Sequence, residues 1–137
     1  MSPSQCIGLL LNQATAVTSI VSTRIYNGNR PDTTTVPCIN YYEIAGGKKE
    51  NGFYRQSYSI NCRAVTAETA LSLVRTVEDL FNGSSGTGIY GYASSGSVFG
   101  ITRSFTKQMQ GLIPEPDDGL YNAPIDIMII FPATSIA

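Results

Sequence analysis

The chain has 137 residues, a formal net charge of −1, 42% apolar residues and only 14% Asp, Glu, Lys and Arg. One domain of this length buries roughly two thirds of the surface its unfolded chain exposes, so it needs no covalent staples. Near-neutrality excludes the basic footprint of a nucleic-acid binder, and the absence of histidine removes the commonest general base and transition-metal ligand. A surface rich in Ser, Thr, Asn, Gly and Tyr suits assembly better than a freely diffusing enzyme.

Ser4 is a candidate N-cap, and Ile7, Leu10, Leu11, Ala14, Val17 and Val21 trace one face of a first helix of about four turns. Arg24-Ile25-Tyr26 is a short extended stretch, and residues 27–35 form a polar loop around Gly28 and Pro31. Residues 36–45 are β-rich, with Ile39 and Tyr41 on one parity and Cys38, Tyr42 and Ile44 on the other; Pro37 marks a strand start or a sheet edge. Residues 46–52 then read as the tip of a hairpin leading into a strand from Tyr54.

That strand carries the plainest pattern in the chain. Tyr58, Ile60, Cys62 and Ala64 alternate with Ser57, Ser59, Asn61 and Arg63, which predicts one buried and one wet face. At Thr66 the period changes, and Ala70, Leu73, Val74, Val77, Leu80 and Phe81 form a helical stripe that packs back on the strand. Thr66 can cap this helix, Glu68 complements its positive end and Asn82-Gly83 stops it; Thr69 stands where Glu or Gln would complete a capping box.

Residues 82–97 are Gly/Ser-rich and read as a flexible loop or a loose strand with wide turns, and residues 98–109 as one long strand. Residues 112–121, with Pro114, Pro116 and Asp118-Gly119, form a turn-rich connector, and residues 123–131 make an apolar strand for the middle of a sheet, ended by Pro132. The whole, residues 1–137, is expected to be one α+β domain: a mostly antiparallel sheet of about four to five strands, two helices on one face and a protruding β-hairpin.

Chemistry-bearing motifs are weak. Cys6, Cys38 and Cys62 are odd in number, scattered and near apolar positions, as buried free thiols are, and they make no zinc site. The Gly/Ser stretch at 83–88 lacks the preceding strand and the lysine of a phosphate-binding loop. Glu115, Asp117 and Asp118 read as a solvated turn instead of a cation site, and Glu43, Glu50 and Glu68 have no paired spacing for acid–base work. No catalytic residue, metal or cofactor is expected. Tyr41, Tyr42, Tyr54 and Tyr58 make the hairpin aromatic, either for cross-strand packing or for a protein interface. The start of the chain lacks the basic and apolar regions of a signal peptide, and its apolar runs are too short for a membrane span, which points to folding in a reducing cytosol.

The succession Arg24-Ile25-Tyr26, Val36-Pro37-Cys38-Ile39, and a strand ending Tyr58-Ser-Ile-Asn-Cys-Arg63 joined to the helix of Ala70, Leu71, Leu73, Val74, Val77 and Leu80 resembles the small tail-completion and tail-terminator proteins of long-tailed (siphovirus- or myovirus-like) phages. The resemblance covers residues 7–81. It implies a non-enzymatic virion subunit, assembled in the host cytoplasm, that forms a hexameric ring at the tail–neck junction. Such a ring stops polymerisation of the tail tube, docks the neck or connector protein, and lets DNA pass through its lumen without specific binding. On this reading the hairpin residues Tyr41, Tyr42, Gly46, Gly47, Lys48, Lys49, Glu50 and Tyr54 are the candidate subunit interface. Ser84, Ser85, Thr87, Tyr90 and Tyr92 are the candidate partner-contacting loop. Cys38 stands where that pattern often has an aromatic, and the 82–97 segment is long, so another neck or minor tail role stays open beside the terminator. A small-molecule or nucleotide-binding domain using the Gly/Ser-rich loop is the alternative from a different class.

Overall fold

The computed structural model describes residues 3–29, 35–82, 92–94, 97–99, 103–109 and 111–132. In chain order the elements are α1 (Pro3–Gln13), α2 (Thr15–Val21), β1 (Ile25–Asn27), β2 (Cys38–Glu50), β3 (Phe53–Ala64), α3 (Ala67–Asn82), β4 (Tyr92–Ser94), β5 (Ser97–Phe99), β6 (Arg103–Met109), β7 (Ile113–Glu115) and β8 (Leu120–Pro132). Five strands lie side by side as β1-β2-β3-β8-β6, and β7 pairs with β8 as well. β1 runs parallel to β2, and every other pairing is antiparallel. The architecture is the expected α+β one.

The strand-to-helix junction follows the sequence closely. The Thr69 backbone N–H donates to Thr66 Oγ1 at 3.3 Å, as an N-cap requires, and the Thr66 hydroxyl donates to that of Thr69 at 2.9 Å, which holds the cap in place. Behind this cap α3 buries Ala70, Leu73, Val74, Val77 and Phe81. They meet Tyr58, Ile60, Cys62 and Ala64 of β3 and Ala123, Ile125, Ile127, Ile129 and Phe131 of β8 in one core. The apolar run of β8 does lie inside the sheet, with β3 along one side and β6 and β7 along the other.

Other elements differ from expectation. The first helical stretch is two helices, because Ala14 is extended (φ −77°, ψ 105°) and its carbonyl accepts from Val17 and Thr18 to open α2. Alanine itself favours helix, so propensity does not break the chain there; the β-branched run after it weakens the continuation. The apolar stripe survives the break, since Cys6, Ile7, Leu11, Val17 and Val21 are fully buried. Ser4 lies inside the first turn of α1 and is no cap; its hydroxyl meets Tyr58 Oη at 3.2 Å.

The second face of β3 is not wet along its middle. Ser57, Ser59 and Asn61 are 8%, 4% and 6% exposed, because β3 is flanked on both sides, Ser59 by Tyr42 and Asp126 and Asn61 by Asn40 and Pro124. The hairpin tip is also tighter than a loop over 46–52. β2 continues to Glu50, opposite Phe53, and Asn51 (φ 51°) with Gly52 (φ 81°) makes a two-residue turn. Asn-Gly is the pair that such left-handed turns select. Two register shifts, between Glu43 and Ala45 and between Ala45 and Lys48, bulge β2 on the way. Farther on, the expected strand over 98–109 is divided between β5, which pairs with β4 apart from the main sheet, and β6, which joins it. The connector over 112–121 contains β7 and a turn that ends at Gly119 (φ 68°).

Candidate interaction surface

The hairpin tyrosines separate by face. Tyr41 and Tyr58 are buried under the helices, Tyr54 stacks on Phe131 with ring centroids 5.8 Å apart, and Tyr42 alone, 46% exposed, stands on the opposite face. Burial raises the pKa of the Tyr41 and Tyr58 phenols, and Glu43 Oε1, 3.4 Å from Tyr58 Oη, raises the latter further. Three of the four rings therefore serve the chain's own core or its edge packing. Gly46, Gly47, Lys48, Lys49 and Glu50 all lie on β2 as strand backbone.

Among the described strands, β1 alone lies along the outer edge of β2. β1 pairs with Ile39, Asn40 and Tyr41, and its end is marked by the Gly28 N–H donating to Tyr41 O at 2.8 Å. Beyond Tyr41 no described strand lies against that edge. By the alternation of a strand, the N–H and C=O of Glu43 are the next to point outward there. Exposed Ile44 adjoins this stretch, and an edge without a described strand beside an apolar side chain is a template for another strand.

On the sheet face away from the helices, Asn40, Tyr42, Asn61, Arg63 and Asn122 line an open hollow of about 520 Å³ with the Gly28–Asn29 corner. The Arg63 guanidinium donates from Nε to Glu115 Oε1 at 2.9 Å and from Nη1 to Asn40 Oδ1. Asn40 Nδ2 donates to Gly28 O at 2.9 Å, and Asn122 Nδ2 to Asn61 Oδ1 at 3.1 Å. Arg63 and Glu115 offset one another, so the hollow is polar and close to neutral. The sequence placed Asn61 and Arg63 on this face but did not bring Asn40, Asn122 and Glu115 to them. The signal was the interruption of apolar patterns by Asn40 and Asn122 at the ends of two strands, which acquires meaning only once the strand order is known.

Glu115 belongs to this ion pair, while Asp117 and Asp118 lie in the exposed turn beyond it. Among the described residues no three His, Cys, Asp or Glu side chains gather where they could hold a metal ion. Cys6, Cys38 and Cys62 are buried and form no disulfide; burial pushes the Cys6 thiol up to about 12 and raises that of Cys62 as well, which keeps both protonated. Ser84, Ser85, Thr87 and Tyr90 lie outside the described residues, and Tyr92 opens β4, its backbone paired with Phe99. No described helix is long and apolar enough to cross a membrane.

No protein-family model and no curated protein sequence matches the chain. Among solved structures, a chain in the virion of a native gene transfer agent particle is similar, with a TM-score of 0.68 and 10% identity over 96% of this chain and 95% of that one. The two proteins share a fold along nearly their whole lengths.

Proposed function

We propose that the chain is a structural subunit of a phage-like virion, and within that class a tail terminator. On this reading it caps the head-proximal end of the tail tube as a hexameric ring and presents a docking surface to the neck or connector protein. The observation that carries the reading is the end-to-end fold similarity to a chain of a virion particle. The order of short patterns over residues 7–81 adds the terminator role to it. Its partners are further copies of itself, the tail tube protein and the neck protein, and it resides at the tail–neck junction without catalysing a reaction.

The physical features suit such a subunit. A closed ring needs a heterologous, head-to-tail contact, and the β2 edge beyond Tyr41, against which no described strand lies and which has exposed Ile44 beside it, offers one half of it. A net charge of −1 suits a lumen through which DNA slides without binding. The deciding experiment is deletion of this gene from the phage that encodes it, followed by negative-stain measurement of tail length. Overlong, variable tails without heads are the expected result. Tails of normal length that fail to join heads would move the subunit to another neck or minor tail position, and infectious particles would remove both assignments.

A further inference from the structure

The polar hollow contains one group that its own chain leaves unsatisfied. Asn122 is 7% exposed; its Nδ2 donates to Asn61, while its Oδ1 is buried with no hydrogen-bond partner. With Asn61 as it stands, turning the Asn122 carboxamide over does not help, because it sets two oxygens against each other at Asn61; turning both amides over exchanges the orphan acceptor for an orphan donor, so one partner is missing either way. Native proteins rarely keep such a group without a use for it. Around it the other capacity is mostly taken: both ends of the Asn40 amide are bonded, and Arg63 holds Glu115 and Asn40. Those two bonds use two of the five guanidinium N–H groups, so Arg63 keeps donors to offer on a side chain that lines the same hollow.

We infer that the hollow on the far sheet face is a binding site for an uncharged polypeptide segment of another protein, whose backbone N–H donates to Asn122 Oδ1 and whose carbonyl accepts from Arg63. A neutral donor–acceptor pair fits because Glu115 lies 2.9 Å from the Arg63 Nε: an anion would be repelled by the carboxylate, and a cation by the guanidinium. A chain segment fits better than a small molecule because the hollow is open along the sheet, whereas small-molecule sites enclose most of their ligand. Contact with the orphan acceptor takes a turn of the Asn122 amide toward the hollow, in which the new backbone contacts replace its bond to Asn61. The inference does not depend on the virion assignment, since it rests on this hollow alone.

The test uses the full chain, labelled with ¹⁵N, and N-acetyl-diglycine amide as the probe. Saturable shifts are expected at the Asn61 and Asn122 side-chain amides and at Arg63 Nε–H, with acetate and tetramethylammonium giving none at those signals. Asn122→Leu should weaken the probe at least about tenfold, while its melting temperature falls by no more than a few degrees, because the variant removes the orphan acceptor but leaves Asn61 Oδ1 without its donor. Asn122→Ala, which adds no bulk, repeats the comparison. The inference is overturned by silence at these three groups, by preference for either ion, or by undiminished probe binding in both variants.

Discussion

A Cβ on residue 8 would lie 2.5 Å from the phenol oxygen of Tyr41, so Gly8 lets the first helix lie directly against this ring of the sheet. Gly8→Ala sets two effects against each other. Alanine gains about 1 kcal/mol of helix propensity. Overpacking a closed core costs about 1–3 kcal/mol, and the Tyr41 ring is buried and has little room to yield. Denaturant unfolding should show a net loss of about 1 kcal/mol. Adding Tyr41→Phe, which deletes the obstructing oxygen, should make Gly8→Ala neutral or stabilising; a loss that survives in the Tyr41→Phe background would sink the steric account.

Arg63 and Glu115 are 16% and 27% exposed, half-sheltered but still screened by water. Glu115→Gln should therefore cost about 1 kcal/mol or less. Arg63→Lys should cost more, because a single ammonium cannot hold Glu115 and Asn40 together as the fork does. Chemical denaturation of the two variants decides the order, and equal losses would contradict it.

Stability should depend on alkali through the buried thiols of Cys6 and Cys62 and the buried phenols of Tyr41 and Tyr58. The Cys6 thiol rises from 9.0 to about 12 in the folded chain, and burial raises Tyr58 from 10.0. Folded-state values above unfolded ones mean that the native chain holds its protons longer. This stability is fully present below pH 9.0 and is lost as the pH climbs through the folded value of about 12. Urea midpoints measured from pH 7 upward should stay level and then fall above about pH 9, and Cys6→Ala should flatten the first part of the fall. A wild-type midpoint independent of pH up to about 11 would refute the linkage.

Gly52 has φ 81° with nothing within 4 Å of an added Cβ, so Gly52→Ala tests backbone strain alone. A destabilisation of about 1 kcal/mol is expected. Ile44 is 47% exposed, and Ile44→Lys should change monomer stability by no more than about 0.5 kcal/mol. Under the terminator assignment the same change should abolish ring formation, read by sedimentation or electron microscopy. Rings formed at wild-type concentration by Ile44→Lys would take this edge out of the interface.

Local patterns were legible where one residue's partner lay close in sequence. Thr66 and Thr69 cap α3 because a cap spans one turn, and β8 falls inside the sheet because its run is apolar on both parities. Asn51-Gly52 was equally legible as a two-residue turn, but the glycines at 46 and 47 drew the tip toward themselves. The break at Ala14 was not legible, since the residue favours the state it interrupts. Nor was the hollow: Asn40 and Arg63 are 23 residues apart and Asn61 and Asn122 are 61 apart, so only strand order brings them together.

The position of β8 also sets a schedule for folding. Its thirteen residues pair with β3, β6 and β7, all of which precede it in the chain. During synthesis the β2–β3 hairpin and α3 can form, but one edge of β3 stays unfilled and β6 has nothing in the main sheet to join until β8 arrives. Closing the sheet is thus a late, long-range step of the slow kind that nonlocal strand pairing imposes. Until it occurs the nascent subunit displays unpaired strand edges, and the interval before β8 inserts is when it is most exposed to aggregation.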